Sequence, residues 1–486
     1  MSLSSALSIA QSALLNTSRQ TTVVSRNISD ASNPDYSRRT AILVTSNNGA
    51  QVVEIRRSTS DILFRQNMAA TSAAASQTTL LSGLNTLNFD VNGVENANSA
   101  ATTIGRFMEA LQIYSASPSN GSVAENAIDS AKSVVRSLNE GTTAIQAFRA
   151  DVDRQISSSV GELNTLLADF KIANDQITAG TRAGRDVNQS LDQRDAILKK
   201  ISQLIPVNAI TRADNDLMLV TSTGQTLFEK LPREVTFTQA VGLAPGTSGN
   251  AIYIDGVPVI AGTGGNTTGG GKLAAFVQLR EEVAGGMQSQ LDEIARGLIT
   301  AMRETDPSGV QPDLAGLFTW TGGPGLPPAG TLVDGLAAQI SINAAFDTAQ
   351  GGTPSLLRDG GANGAAYVQN TVGGPSFTAQ LLTFAARLDE PMAFDASAGI
   401  NGTISVTTYS TEAISWFSNI REDASRAAES KNALMARTQE ALSNLTGVNI
   451  DEELTLLLDL EHTYEASARL MRAVDDMLVA LFSAVN

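Results

Sequence analysis

Both ends of this 486-residue chain repeat apolar residues with coiled-coil spacing, and this constrains the fold more than any other feature of the sequence. Leu3, Leu7, Ala10, Leu14, Thr17, Thr21, Val24 and Ile28 follow alternating steps of four and three, the a/d pattern of a heptad helix. Asn33-Pro34 stops that helix, because proline pushes the preceding residue out of the helical region. At the other end Ile450, Leu454, Leu457, Glu461, Tyr464, Ala468, Met471, Asp475, Leu478, Phe482 and Val485 repeat the same spacing, with two acids in the stripe. Asn449 is placed to cap this helix, with Glu452 at the capping-box position and Asp451, Glu452 and Glu453 in the first turn, where the helix dipole favours acids. Two terminal heptad helices can pair with each other, so the middle of the chain projects between them. Seams left open bury themselves on neighbouring copies.

Between the ends the periodicity changes twice. Thr40–Thr45 and Gln51–Arg57 are β-prone runs around Asn48-Gly49, a hairpin signal. From about 60 to 205 the pattern is helical, with Ile104, Phe107, Leu111 and Tyr114 on one face and Val152, Ile156, Val160, Leu163, Leu167, Phe170, Ala173 and Ile177 on a longer one. Leu191, Leu198, Ile201 and Ile205 form a further helix, ended by Pro206. From 206 to about 271 the period becomes two, with strands at Leu217–Thr221, Glu234–Thr238 and Ala251–Ile254. Helix resumes at Leu273–Arg303. Residues 306–375 are Gly- and Pro-rich and read as loops, Ile404–Thr408 as a short strand, and Ile414 to Leu442 as one long helix ended near Gly447.

The expected fold is mainly α with an inserted β-domain, long helices forming a coiled-coil bundle from both termini, in a discontinuous rod-like multidomain architecture. The expected domains are 1–35 with 447–486 as a terminal coiled coil; 36–205 with 273–305 and 376–446 as a long-helix rod; and 206–272 as the β-insert, extended by the 306–375 loop-rich insert. Composition suits this: 42% hydrophobic residues build cores, while 5% aromatics, 17% charged residues and 40 glycines suit closely packed Ala-rich helices and loop-rich insertions.

Charge and residue usage exclude several classes of function. A net charge of −16 repels phosphate backbones and anionic membrane surfaces. With no cysteine there are no disulfides, thiolate metal sites or thiol nucleophiles, and one histidine, His462, cannot build a multi-imidazole site. The densest apolar run, Leu454 to Leu460, is too short to span a membrane and is broken by Thr455 and Asp459. The first residues lack the basic start of a cleaved signal peptide, so the chain is expected either to stay in the cytoplasm or to leave by another route.

Several stretches together resemble the flagellar hook-associated protein 1 family. Ser25-Arg26-Asn27-Ile28-Ser29 with Asn33-Pro34-Asp35-Tyr36 is similar to the N-terminal signature of flagellar axial proteins, with Asp35 where glycine is usual. Aspartate tolerates positive φ less readily than glycine. Val53-Glu54-Ile55-Arg56-Arg57 followed by Asp61, Leu63 and Gln66, Leu191-Asp192-Gln193-Arg194-Asp195, Gly271-Lys272-Leu273 with Leu279-Arg280-Glu281-Glu282-Val283, and Gly447-Val448-Asn449-Ile450-Asp451-Glu452-Glu453-Leu454 with Tyr464-Glu465-Ala466-Ser467-Ala468-Arg469 resemble the family in order and spacing. The resemblance implies a non-enzymatic, extracellular part of the flagellum, with no cofactor. It implies export through the flagellar export apparatus with a cytoplasmic chaperone on the C-terminal helix, assembly as a homo-oligomeric ring on the hook protein, and contact with the second junction protein. Leu3, Leu7, Leu14, Ile28, Tyr36, Leu454, Leu457, Tyr464, Met471, Leu478 and Phe482 are the expected assembly interface. Flagellin or the neighbouring junction protein is the alternative within this class, and an extracellular hydrolase carried in 206–375 is the alternative outside it.

Three stretches invite other chemistry. The glycine-rich run Gly262 to Lys272 fails the phosphate-loop pattern, because Asn266 and Leu273 stand where glycine and a hydroxyl are required; a flexible tether is expected. Asp214-Asn215-Asp216 lacks the glycine turn and distal glutamate of a calcium loop, and a turn beside a strand is expected. His462 beside Glu461 reads as a surface or interface residue.

Overall fold

A computed structural model describes residues 3–46, 49–258, 270–400 and 402–485. Asn48 of the expected turn and the glycine-rich run up to residue 269 lie outside the described residues. The helices are α1 (Leu3–Ser29), α2 (Asp61–Asn92), α3 (Ala100–Ala116), α4 (Gly121–Arg182), α5 (Asn188–Leu204), α6 (Gly271–Gln278), α7 (Ala284–Ala301), α8 (Leu336–Gln339), α9 (Leu356–Asp359), α10 (Ala379–Leu388), α11 (Val406–Thr446) and α12 (Ile450–Val485). The strands are β1 (Arg39–Ser46), β2 (Gly49–Arg57), β3 (Val207–Thr211), β4 (Leu217–Thr221), β5 (Thr226–Phe228), β6 (Val235–Thr236), β7 (Tyr253–Ile254), β8 (Val257–Pro258), β9 (Phe318–Thr319), β10 (Ser341–Ile342), β11 (Met392–Ala393) and β12 (Thr403–Ile404). The chain is mainly α with small inserted sheets. The strand expected at Ile404–Thr408 is only two residues long and starts at Thr403; Val406 onward is already α11, whose first turn is capped by Ser405 Oγ accepting from Thr408 N at 3.1 Å.

The chain divides into two compact units: Met1–Ala74, Glu162–Val235 and Ser430–Asn486, and Ala75–Gly161 with Thr236–Glu429. In the first, α1 and α12 pack along each other. The last turn of α1 meets the first turn of α12, where Asn27 bonds Glu453, so the pair is antiparallel. The β1–β2 hairpin is antiparallel with a bulge between Ile42 and Leu43. The antiparallel β3–β4–β5 sheet buries Leu219, Leu227 and Phe228. Phe228 meets Phe170 of α4 edge-on, with ring centroids 4.9 Å apart.

The second unit has a core of Leu84, Leu87, Ile104, Phe107, Leu138, Ile145, Leu298 and Phe318. Its long loops are fixed less by periodic packing than by buried carboxylates that accept backbone N–H groups. Glu304, 2% exposed, takes Ala362 N and Asn363 N at 2.9 and 2.8 Å. Glu293 pairs in bidentate fashion with Arg296 and accepts Asp395 N at 2.8 Å. One π-turn, Leu279–Val283, separates α6 from α7 and buries Arg280 against Asp153, with Nη2 donating to Asn250 O at 2.6 Å. A Cβ at Gly249 would lie 2.5 Å from that guanidinium carbon, so the approach requires glycine.

Asp292 of α7 accepts Gly335 N and Ala337 N, each at 2.8 Å. Burial pushes its carboxyl up to about 7, against the pull of those two amides and of Gln288. Between pH ~4 and 7 the folded chain therefore keeps a proton that the unfolded chain has lost, and stability falls as pH rises through that window. Asp292→Asn cannot titrate. The urea midpoint of the native chain should fall relative to that of Asp292→Asn between pH 5 and 7.5; parallel curves would show that the N–H donors outweigh burial.

Candidate assembly site

The two ends of the chain meet in one buried polar cluster. Asn27, 1% exposed, sits in the last turns of α1. Its Nδ2 donates to Arg39 O and to Glu453 Oε2, both at 2.9 Å. Its Oδ1 accepts Arg39 N at 3.0 Å and Tyr36 OH at 2.8 Å. Both halves of one carboxamide are thus fully used, as a buried amide requires. Burial pushes the Tyr36 phenol up to about 12 against the nearby Arg39, so it stays a neutral donor.

Charge pairs extend the cluster in two directions. Glu453, 1% exposed, also accepts Arg38 Nε at 2.7 Å, and Arg38 N donates to Thr446 O at 2.7 Å. Arg39 stacks over Tyr36 and donates to Asp192 Oδ2 of α5 at 3.0 Å. Arg57, from the end of β2, reaches Asp192 at 2.9 Å and Asp195 at 2.7 Å. Burial lowers the Arg57 guanidinium, but Asp195 and Asp192 outweigh it, and the net shift is upward. Arg194 beside them is drawn down to about 10 by burial; its Nη1 donates to Asn174 Oδ1 and Asn215 O at 2.9 and 2.6 Å. An open cleft of about 1070 Å³ lies next to the cluster, lined by 31–38, the start of α2, α5, the end of β3 with the first residue of β4, and the α11–α12 corner.

Asp35 introduces no backbone strain. It is not among the positive-φ residues; its N–H donates to Asn33 Oδ1 at 3.1 Å and its carboxylate pairs with Lys199 at 3.0 Å. At 213–215 a turn forms with Asp214 and Asn215 in the left-handed region. Asp214 pairs with Arg182 at 2.7 Å, whereas Asp216 accepts Asn174 Nδ2 at 2.6 Å, so the two carboxylates serve different partners. His462 is exposed.

On α1, Ala10, Thr17 and Val24 of the expected stripe are buried, and Leu7, Leu14 and Ile28 are half-buried. On α12 the buried line is Glu453, Leu460, Ser467 and Val474, flanked by half-buried Leu457, Met471 and Leu478. It shares those flanking residues with the sequence stripe but replaces 454, 461, 468 and 475 by their neighbours. The physical reason is charge: the sequence stripe would bury Glu461 and Asp475 without partners, whereas Glu453 brings Asn27 and Arg38 with it. Leu454 and Tyr464 are consequently exposed, Tyr36 is buried, and the side chains of Leu3 and Phe482 lie outside the described residues. Ile450, Leu454, Leu456, Leu458, Tyr464, Leu470, Met477, Val479 and Leu481 are 39% to 61% exposed, so α12 carries apolar residues well beyond its contact with α1.

Comparison with known proteins agrees with this architecture. A family model described as the flagellar hook-associated protein FlgK helical domain matches residues 90–318, and one described as the flagellar basal body rod FlgEFG protein C-terminal matches 439–483. The flagellar hook-associated protein 1 of Bacillus subtilis (strain 168) is 20% identical over 410 residues, covering 78% of this chain and 74% of that one. That of Salmonella typhimurium (strain LT2) is 26% identical over 241 residues, covering 46% and 41%. Thus this chain matches about two fifths of the length of the Salmonella relative. The solved structure of the flagellar hook junction protein FlgK from Burkholderia pseudomallei shares the fold, with a TM-score of 0.56 at 15% identity, covering 78% of this chain and 99% of that one. Fold, paired ends and family models define a structural protein of the bacterial flagellum. Over these stretches the chain is similar to the flagellar hook-associated protein 1 family.

Asn27 and Asp192 were visible only as letters of family-like motifs, Glu453 also as an acid of the first turn, and Arg39 not at all, since nothing in periodicity marks a polar residue that is to be buried. Removing Asp192 leaves the buried Arg39 guanidinium without its carboxylate and Arg57 with Asp195 alone, whereas removing Glu453 leaves Arg38, which is a third exposed, with Glu452 at 3.8 Å. Asp192→Ala should therefore cost about 3–5 kcal/mol in urea denaturation, and Glu453→Ala about 1–3 kcal/mol. The reverse order would contradict the assignment.

Proposed function

We propose that the chain is a subunit of the hook–filament junction, assembling with copies of itself as a ring on the distal hook and presenting the surface on which the filament grows. The observation that carries this is the state of α12: one side is filled by α1, while leucines, Tyr464, Met477 and Val479 remain exposed on the flanks. Full burial of a large apolar side chain contributes roughly 1.5–3 kcal/mol before entropic costs, so covering that surface with sister copies supplies the driving force. Leu3, Leu7, Leu14, Ile28, Leu454, Leu457, Tyr464, Met471, Leu478 and Phe482 are the proposed interface, with Tyr36 fixing the corner from which α12 departs.

The remaining partners follow from the family. The hook protein lies below the ring and the second junction protein above it. A cytoplasmic chaperone covers the C-terminal helix before the chain passes through the flagellar export apparatus to the extracellular flagellum. This role requires no catalysis and no cofactor.

Deleting residues 450–486 should abolish incorporation into flagella while leaving the β3–β4–β5 sheet folded by circular dichroism and limited proteolysis. Normal incorporation of the truncated chain would contradict the mechanism. A strain lacking the whole chain should bear hooks without filaments by electron microscopy and shed flagellin into the medium.

A further inference from the structure

The pairing of α1 with α12 leaves a second heptad row open on each helix. On α1, Gln11, Leu15, Ser18, Thr22, Ser25 and Ser29 follow alternating steps of four and three, and all are exposed, Leu15 to 67%. They lie off the buried line through Thr17 and Val24, and off the side from which Ser12 and Asn16 hold the hairpin. On α12, Leu456, Thr463, Leu470 and Met477 recur every seven residues and are exposed. A parallel line of exposed residues begins with Glu452 and Asp459 and continues as Ala466, Ala473 and Ala480. Neither line contains Leu460, Ser467 or Val474, which face α1 within the chain.

The two open rows are complementary in charge and in size. Helix α1 holds two arginines and no acid, whereas α12 holds eight acids against two arginines. Arg19 and Arg26, one heptad apart, are exposed beside the open row of α1. Arg19 makes one long contact, to Val52 O at 3.5 Å, and neither arginine has a carboxylate partner among the described residues. Glu452 and Asp459, also one heptad apart, head the open row of α12. Glu452 meets Arg38 at 3.8 Å, and Asp459 has no cationic partner among the described residues. Within the chain the helices are antiparallel, with Asn27 opposite Glu453. Seven residues rise about 10.5 Å on either helix, so antiparallel packing at nearly the same level sets Arg26 beside Glu452 and Arg19 beside Asp459. It also sets Thr22 opposite Leu456, Leu15 opposite Thr463 and Ser8 opposite Leu470, a small side chain against a large one each time.

We propose that the open row of α1 in one copy packs antiparallel on the open row of α12 in the next, with Arg26 and Arg19 pairing Glu452 and Asp459 of the neighbouring copy. The inference rests on the self-assembly proposed above and names the surface that covers one flank of α12. Copies that all point one way around a ring keep each α1 antiparallel to its neighbour's α12. The contact is therefore heterologous and repeats from copy to copy. A second α12 in that place would set acids against acids, which the arginines of α1 avoid.

The absence of cysteine makes the test direct. In sheared flagella under mild oxidation, the full-length chain with Thr22→Cys and Leu456→Cys should run as a ladder of covalent multimers. Each single-cysteine chain should run as a monomer, because the contact joins unlike surfaces. Arg19→Glu with Arg26→Glu should lower the amount of chain in flagella at least about tenfold, and adding Glu452→Arg with Asp459→Arg should restore it. Circular dichroism checks that each variant folds. Flagella that contain the two-cysteine chain but yield no ladder would overturn this contact and leave the assembly role standing. An equal loss with and without the compensating reversals would do the same. Absence of the native chain from flagella would overturn both.

Discussion

The carboxamide of Asn27 is the interaction on which the first unit depends. One side chain holds both backbone groups of Arg39, the Tyr36 hydroxyl and the Glu453 carboxylate. It therefore joins the end of α1, the loop that follows, the first residue of β1 and the start of α12, across 426 residues of sequence separation. Buried polar groups stabilise little when matched and cost much when stranded. A cluster of this kind selects one arrangement of the chain ends more than it deepens stability, and Arg39, Arg57 and Asp192 carry the same selection outward to α5.

The orientation of α12 follows from that selection. Glu453 must face Asn27 and Arg38, which fixes the rotation of the helix at its first turn. Leu460, Ser467 and Val474 then fall in line toward α1, and the acids at 461 and 475 turn away into solvent. The apolar residues left outside are the result of satisfying a charge inside. Seen this way, the acids that interrupt the sequence stripe are the reason the stripe and the seam differ.

Local signals in the sequence placed the elements with a clear period. α1 runs from Leu3 to Ser29, ending before the Asn33-Pro34 stop, and Asn449 caps α12 as its position requires, with Asp451 N donating to its Oδ1 at 3.1 Å. The β4 strand occupies Leu217–Thr221 as read from alternation. What stayed hidden was held by long-range polar contacts. Residues 306–375 are fixed through Glu304, Asp292 and their backbone amide partners, which leave no periodic trace. Of the exposed apolar residues of α12, Ile450, Leu454 and Tyr464 stand in the stripe read from spacing, whereas Leu456, Leu458, Leu470, Met477, Val479 and Leu481 do not. The rotation of α12 was not readable, because it depends on a contact with a residue more than four hundred positions away.

The central claim is that α12 is a helix with one side settled within the chain and its flanks reserved for neighbours. Single cysteines in this cysteine-free chain test it most directly. Leu454→Cys, Leu470→Cys and Val474→Cys would be alkylated in the free protein and in sheared flagella, and the rates compared. The account predicts that 454 and 470 react fast in the free chain and slowly in flagella, while 474 is slow in both. Equal reactivity of 454 and 470 in the two states would contradict it.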